Sequence, residues 1–100
     1  MVKQVVWTIT ARKQRQNILE YWTERNGNKR YSQKISILVR NRVKFIVKFN
    51  YLGKDTDFGD VRVTSAGHFS IFYKIYSDRI IIMSLWDSRQ DPDKLVAIIK

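Results

Sequence analysis

Three strand-forming segments follow one another between residues 61 and 86, separated by turns of only two residues. They are VRVTS at 61–65, HFSIFYKIY at 68–76 and RIIIMSLW at 79–86, with AG and SD between them. Turns this short join antiparallel neighbours, so the segments predict a three-stranded antiparallel meander. The last segment is apolar on both faces, which predicts a strand in the interior of a sheet.

The N-terminal half predicts one further strand and two helices. Residues 3–10, KQVVWTIT, are β-branched and aromatic and predict a strand. Thr10 can then cap a helix over residues 11–25. The break NGN at 26–28 is followed by apolar residues at spacings of three, four and seven, which predict a second helix over residues 29–49. Two consecutive helices with a short break form an antiparallel hairpin.

The predicted order of elements is β-α-α-β-β-β, with a Gly-, Asp- and Asn-rich loop over residues 50–60. This order predicts an α+β fold: an antiparallel sheet of about four strands with the helical hairpin packed on one face. The 100 residues fit a single domain spanning residues 1–100. In the tail, Asp91 and Pro92 can begin a short C-terminal helix.

The positive charge is concentrated in the predicted helical hairpin. Of the net charge of +10, a balance of +9 lies in residues 11–50, where eleven Lys or Arg stand against Glu20 and Glu24. Residues 51–100 hold seven basic and seven acidic side chains. Such a surface attracts a polyanion or an acidic protein. The alternative is a solvated helix face that only aids solubility.

Several classes of site are disfavoured by the sequence. The chain has no Cys and a single His, which excludes thiolate and multi-histidine metal sites. The carboxylates of KDTDFGD at 54–60 do not have the spacing of a calcium loop and fit loop solvation better. No phosphate-binding glycine motif or G-x-S-x-G occurs. We therefore expect no metal and no cofactor.

No apolar run is long enough to span a membrane, and the N-terminus lacks the features of a signal peptide. The expectation is a cytoplasmic protein with no membrane partner.

Two arginines and one histidine are the candidates for chemistry. Arg62 alternates with Val61 and Val63 and should point from the opposite face, while Arg89 follows the last strand. Arginines on a sheet can bind phosphate through paired donors and stabilise developing charge. The structural alternative is that Arg89 pairs with Asp87 or Asp91, and Arg62 with Asp60. His68 has either a surface role or a role in proton transfer.

The chain resembles the RelE/ParE toxins of bacterial type II toxin–antitoxin systems. The resemblance covers nearly all residues and is most specific at V-R-V (61–63), F-S-I-F-Y (69–73) and W-D-S-R-Q-D-P (86–92). The motifs W-T-I-T-A (7–11), ILEYW (18–22) and YLGK (51–54) are similar to the ParE side of the family.

The resemblance implies a partner. Toxins of this family are held inactive by an antitoxin whose acidic C-terminal segment wraps around them, and the pair represses its own operon. It therefore implies that this chain meets operator DNA only through the antitoxin complex. The basic hairpin fits such a segment, and it fits a ribosomal or nucleic-acid surface equally well.

The resemblance also implies one of two targets. RelE-like members cleave mRNA on the ribosome, and ParE-like members bind DNA gyrase and block replication. The sequence favours a ribosome-dependent mRNA endoribonuclease, with gyrase inhibition as the alternative. For the nuclease the resemblance makes Arg62, Arg89 and His68 the catalytic residues, with Lys54 and Lys74 binding the RNA. Two departures oppose it: the lysine pair ahead of the second strand is absent, and no tyrosine follows Arg89.

Overall fold

The computed structural model describes residues 3–89, which contain two helices and five strands. The elements in chain order are β1 (Gln4–Trp7), α1 (Ile9–Asn26), α2 (Arg30–Lys48), a short 3₁₀ helix (Asn50–Leu52), β2 (Lys54–Asp55), β3 (Arg62–Ala66), β4 (Phe69–Ile75) and β5 (Arg79–Asp87). The predicted α+β fold with an N-terminal helical hairpin is confirmed. The predicted C-terminal helix over residues 91–100 lies outside the described residues.

The sheet differs from the prediction in having five strands and mixed direction. Its strand order is β1-β5-β4-β3-β2, with β1 parallel to β5 and the other neighbours antiparallel. The missed strand is β2, two residues inside the predicted loop. β2 explains why β5 is parallel to β1. The helical hairpin returns the chain to the end of the sheet where β1 finishes, and each strand after it runs opposite to the one before. With the four strands β2 to β5 the last runs parallel to β1, whereas with three it would run antiparallel.

The start of α1 also differs from the prediction, because the cap is Thr8 and not Thr10. The Thr8 hydroxyl accepts a hydrogen bond from the Ala11 N–H at 3.0 Å, and the Thr8 backbone N–H donates to the Ile82 carbonyl at 3.1 Å. Thr8 thus ends the pairing of β1 with β5 and satisfies one of the free N–H groups of the first helical turn. Thr10 is exposed within that turn.

These two threonines make a matched pair for a stability test. We expect Thr8→Ala to lower the free energy of unfolding by about 1 kcal/mol, because the first turn loses its side-chain cap. Thr10→Ala should change it by less than about 0.5 kcal/mol, the usual range for an exposed position. Urea unfolding of both variants followed by circular dichroism measures the difference. A larger loss in Thr10→Ala would contradict the assignment of the cap.

The two faces of the sheet carry separate apolar clusters. The helix-covered face contributes the main core, in which β4 and β5 pack under residues of both helices: Ala11, Ile18, Ile35, Val39, Val43, Ile46, Ala66, Phe69, Ile71, Tyr73, Ile80, Ile82 and Leu85. The opposite face carries a smaller cluster of Val61, Phe72 and Trp86, against which Phe58, Val63 and Met83 pack. Because Val61 and Val63 belong to the opposite face, Arg62 lies on the helix-covered face, as its alternation predicts.

A β-bulge in β5 changes which residues reach the helices. Phe72 pairs with Ser84 but Tyr73 pairs with Ile82, so Met83 is an extra residue in β5. Ile82 lies under the helices before the bulge, and Leu85 does so after it. The side-chain oxygen of Gln14 in α1 accepts hydrogen bonds from Ser84 Oγ at 2.9 Å and Leu85 N at 3.0 Å. The bulge therefore places Asp87, two residues beyond Leu85, on the helix-covered face.

Candidate functional site

Arg89 is held by a carboxylate two residues before it. Its Nε and Nη2 donate to the two oxygens of Asp87 at 2.7 and 2.8 Å, and its backbone N–H donates to Asp87 Oδ1 at 3.0 Å. Charge-assisted hydrogen bonds from paired N–H donors to one carboxylate are stronger than hydrogen bonds between neutral groups. The structural alternative predicted for Arg89 is thus present with Asp87, whereas Asp91 lies outside the described residues.

Aromatic residues from both helices and β4 surround this pair. The guanidinium carbon of Arg89 lies 4.2 Å from the Trp22 ring centroid and 5.6 Å from that of Phe69. Trp22 Nε1 donates to Asp87 Oδ2 at 3.4 Å, and the Tyr31 hydroxyl accepts from Arg89 Nη2 at 3.4 Å. The Asp87–Arg89 pair therefore joins the end of β5 to α1, α2 and β4. The sequence did not predict that Trp22 and Tyr31, the aromatic residues on either side of the NGN break, contact this pair.

Burial and pairing act in opposite directions on the pKa of Asp87. Burial of this carboxylate raises its pKa, but the hydrogen bonds and charge of Arg89 outweigh burial and hold the pKa below its ordinary value of 3.8. The hydrogen bond to Asp87 in turn raises the pKa of Arg89. Both groups are therefore charged at neutral pH.

Arg62 has a similar environment at another place in the fold. Its Nε and Nη2 donate to the Gly53 carbonyl at 3.1 and 2.8 Å, and Nη1 donates to Asp55 Oδ1 at 2.8 Å. Its guanidinium carbon lies 5.0 Å from the Tyr51 ring centroid. The carboxylate partner is Asp55, not the predicted Asp60. Arg62 thus ties the 3₁₀ turn and the edge strand β2 to β3.

The sheet register does not bring the two arginines together. Asp87 pairs with Phe69, which pairs with Ala66, so Asp87 is level with a residue four positions along β3 from Arg62. With about 3.3 Å per residue and 4.8 Å per strand, the Cα atoms of Arg62 and Asp87 are about 16 Å apart. Arg89 lies two residues farther along the chain, beyond the end of β5.

The remaining predicted residues occupy other positions. His68 is exposed in the turn between β3 and β4, and its carbonyl accepts from the Ser88 N–H at 2.8 Å, so it lies at the Arg89 end of the sheet. Lys54 pairs with Val63, and Lys74 follows Phe72 by two residues, which puts both lysines on the face opposite the helices. The five predicted residues are thus divided between the two faces of the sheet, and between its middle and the end near Arg89.

Within residues 3–89, no three His, Asp or Glu side chains form a group that could hold a metal ion. Neither helix there is long and apolar enough to cross a membrane.

The helical hairpin provides the most strongly charged surface of the described residues. Along α2, six Lys or Arg side chains stand with no acidic residue: Arg30, Lys34, Arg40, Arg42, Lys44 and Lys48. Between the helices lies a cleft of about 300 Å³ with an apolar lining and two arginines, formed by Trp7, Arg15, Leu19, Ile35, Ser36, Val39, Arg40 and Val43. The predicted basic hairpin is therefore a surface on which cations border apolar side chains.

A family model identifies the family of the chain, and a solved structure is similar to it in fold. The family model described as the ParE toxin of the type II toxin–antitoxin system, parDE, matches residues 5–92. The solved structure titled "Chromosomal ParDE TA system from P. aeruginosa" is similar with a TM-score of 0.74 and 17% sequence identity, over 84% of this chain and 94% of that chain. A search of curated proteins found no match. At this identity the structural likeness supports the fold, and the family model covers most of the chain, so the chain belongs to the ParE toxin family of type II toxin–antitoxin systems, within the RelE/ParE superfamily.

Proposed function

We propose that this toxin acts in the cytoplasm by binding DNA gyrase and blocking replication, without cleaving RNA. The observation that carries the proposal is the match to the ParE model over residues 5–92, since ParE toxins typically inhibit gyrase. The proposal replaces the ribosome-dependent nuclease that the sequence favoured and adopts its alternative.

The positions of the two arginines also favour gyrase inhibition. Metal-independent RNA cleavage requires cations and proton-transfer groups that converge on a single phosphate. Arg62 is level with the middle of β5, about 16 Å from Asp87, and Arg89 lies beyond the end of that strand. Each arginine directs its guanidinium donors to partners in the chain. The candidate lysines, Lys54 and Lys74, are on the other face of the sheet. These positions favour a toxin that acts by binding.

The parDE family model implies a ParD antitoxin as the partner. We propose that an acidic segment of this antitoxin covers the basic hairpin and competes with gyrase for it. The high positive charge of α2 supports such an interaction, because charge complementarity speeds association with an acidic partner.

The experiment that tests the target compares two reactions with the same purified full-length toxin. We expect it to inhibit supercoiling of relaxed plasmid by gyrase, and to leave mRNA intact in a translation reaction that contains ribosomes. Gel electrophoresis of plasmid topoisomers and of the mRNA measures both outcomes. Truncated mRNA that requires ribosomes, together with normal supercoiling, would overturn the proposal.

A charge reversal on the hairpin tests the contact surface. Arg40→Glu should weaken gyrase inhibition by about tenfold or more, because a cation that borders the cleft becomes an anion. Arg79→Glu is the matched control: it makes the same charge change at an exposed position at the start of β5. Equal loss in both variants would mean that net charge, and not the hairpin surface, determines inhibition.

A further inference from the structure

Four exposed cations form a straight row along the side of α2 that faces solvent. The helix contains no Gly or Pro, so it is a continuous rod on which residues three and four apart share a side. We call Arg30, Lys34, Lys44 and Lys48 the cation row. The exposed residues that follow this line from one end of the helix to the other are Arg30, Lys34, Ile37, Asn41, Lys44 and Lys48.

Helical geometry separates the cation row from both the core and the cleft between the helices. At 100° per residue, the four cations lie within about 80° of one another. The centre of the row is half a turn from Val39, which is buried under the helix. Arg40, which borders the cleft, is about 80° from that centre. From Arg30 to Lys48 the row is about 27 Å long.

Acidic side chains of the described residues do not neutralise the cation row. The ion pairs within residues 3–89 are those of Arg62, Arg79 and Arg89, and none of them includes a member of the row. Glu20 and Glu24, the acids of the hairpin, border a separate groove on the side of α2 that faces α1. The full charge of the four cations is therefore available to a partner.

The residue types on this line match a nucleic-acid backbone better than a protein. Lys, Arg and Asn side chains are the usual donors to DNA phosphates, and the line has one apolar member, Ile37. Protein–protein interfaces have an apolar core, whereas protein–DNA interfaces are more polar and more positively charged. The cation row therefore fits a polyanion.

The same line favours a duplex over a single strand. Single-stranded nucleic acid binds through bases that stack on aromatic side chains, and the line contains none. Of the exposed aromatic residues on α2, Phe45 and Phe49 stack on each other with centroids 6.5 Å apart. A rigid row about 27 Å long also suits a duplex, which is stiff over much longer distances.

We propose that the cation row binds the phosphate backbone of duplex DNA, so that the toxin contacts the DNA held by gyrase as well as gyrase itself. Phosphate contacts carry no sequence information, so this binding is independent of sequence. It is distinct from operator binding, which the family resemblance assigns to the antitoxin complex. The contact within the gyrase complex rests on the proposed function, whereas binding of a duplex by the toxin alone does not.

The first test measures binding of the full-length toxin to a labelled 20-base-pair duplex by fluorescence anisotropy at several salt concentrations. Four phosphate contacts predict a slope of about −3.6 for the logarithm of the binding constant against the logarithm of salt concentration. Two duplexes of unrelated sequence should bind equally. A slope near zero, or tighter binding of single-stranded DNA or RNA than of the duplex, would overturn the proposal.

Neutral substitutions locate the contact on the molecule. Lys44→Gln should reduce the magnitude of the slope by about 0.9 and weaken binding by about eightfold at 0.1 M salt, because one phosphate contact is lost. Arg79→Gln is the matched control, since it removes the same charge from an exposed position at the start of β5. It should leave the slope unchanged. Equal effects in the two variants would mean that net charge alone attracts DNA, and would reject the row.

Supercoiling by gyrase tests the contact within the complex. The double variant Lys44→Gln with Lys48→Gln, checked for folding by circular dichroism, should inhibit supercoiling more weakly than Arg79→Gln does. Equal inhibition by these two proteins would reject the contact with gyrase-held DNA. If the unmodified toxin binds the duplex through the row but does not inhibit gyrase, the proposed target is wrong and the DNA-binding row stands.

Discussion

Replacing Gly53 by alanine is expected to lower the free energy of unfolding by about 3 kcal/mol, although its backbone angles are ordinary. At φ −74° and ψ 160°, any residue could adopt the conformation of Gly53. The obstacle is space. A Cβ atom at this position would lie 2.7 Å from Tyr73 Oη and 2.8 Å from the Val63 carbonyl oxygen. The Val63 carbonyl oxygen is a backbone atom of β3 and cannot move without disturbing the sheet.

The same substitution would break a hydrogen-bonded network. The Gly53 N–H donates to the buried Tyr73 hydroxyl at 2.8 Å, and this hydroxyl donates to the Asn50 carbonyl at 2.7 Å. The Gly53 carbonyl accepts from Arg62. A displaced Gly53 therefore loses bonds to β4 and β3 together, which adds to the steric cost.

Gly59→Ala is the control that separates space from backbone strain. Gly59 has φ +64°, and no atom lies within 4 Å of the place that a Cβ atom would occupy, so alanine there should cost only about 1 kcal/mol from the left-handed backbone. Backbone preference alone would predict the reverse order, with Gly59 the more sensitive. Urea denaturation measures the free energy of unfolding of both variants. A smaller decrease for Gly53→Ala than for Gly59→Ala would contradict the close packing of Gly53 against Tyr73.

This network also shows why part of the fold could not be predicted from the sequence. Hydrophobic periodicity and short turns were sufficient for both helices and for strands β3, β4 and β5, because these elements have strong local patterns. β2 has two exposed residues, Lys54 and Asp55, and no local pattern. It exists because Gly53 approaches Tyr73 and Arg62 bonds back to Gly53, and these contacts depend on the folded sheet.

The candidate site was predicted less completely, for a similar reason. The sequence identified Arg62 and Arg89 and offered salt bridges as the structural alternative, but it could not place them relative to each other. That relation depends on strand register and on the bulge at Met83, which sets the face that Asp87 occupies. Asp87 ends β5, and the contacts of Asp87 with Trp22 and of Arg89 with Tyr31 could be found only once the helices were placed.

The second large effect is expected at Arg89. Arg89→Met should lower the free energy of unfolding by about 2 kcal/mol at pH 7, because the buried Asp87 carboxylate loses its charged partner. The value is below that of a fully buried pair, since the Arg89 side chain is 37% exposed and water screens its charge. Because methionine keeps an apolar chain beside Trp22, the decrease in the free energy of unfolding comes mainly from the missing positive charge.

The destabilisation by Arg89→Met should depend on pH, in a direction set by the pKa of Asp87. In the unmodified protein Arg89 holds the pKa of Asp87 below its ordinary 3.8, so the carboxylate stabilises the fold above that pH. This stabilisation is lost as the pH falls through the lowered pKa. In Arg89→Met the side-chain hydrogen bonds and the charge of Arg89 are lost, so burial opposes only the hydrogen bonds from Trp22 and from the backbone N–H of residue 89, and the pKa of Asp87 should rise. The carboxylate of the folded variant then becomes protonated at a higher pH than that of the unmodified protein, so the difference in stability between the two proteins decreases as the pH falls.

The difference in stability between the two proteins should therefore shrink from pH 7 to pH 4, as measured by urea unfolding at both values. The control measures Arg89→Met in an Asp87→Asn background, so that neither of the two proteins compared carries the titrating carboxylate. The difference in stability between the double variant and Asp87→Asn should then be the same at both pH values. A loss that is equal at both pH values would mean that packing on Trp22, and not the ion pair, makes Arg89 important. Activity assays of Arg89 variants depend on this result, because lost activity identifies a site only in a variant that remains folded.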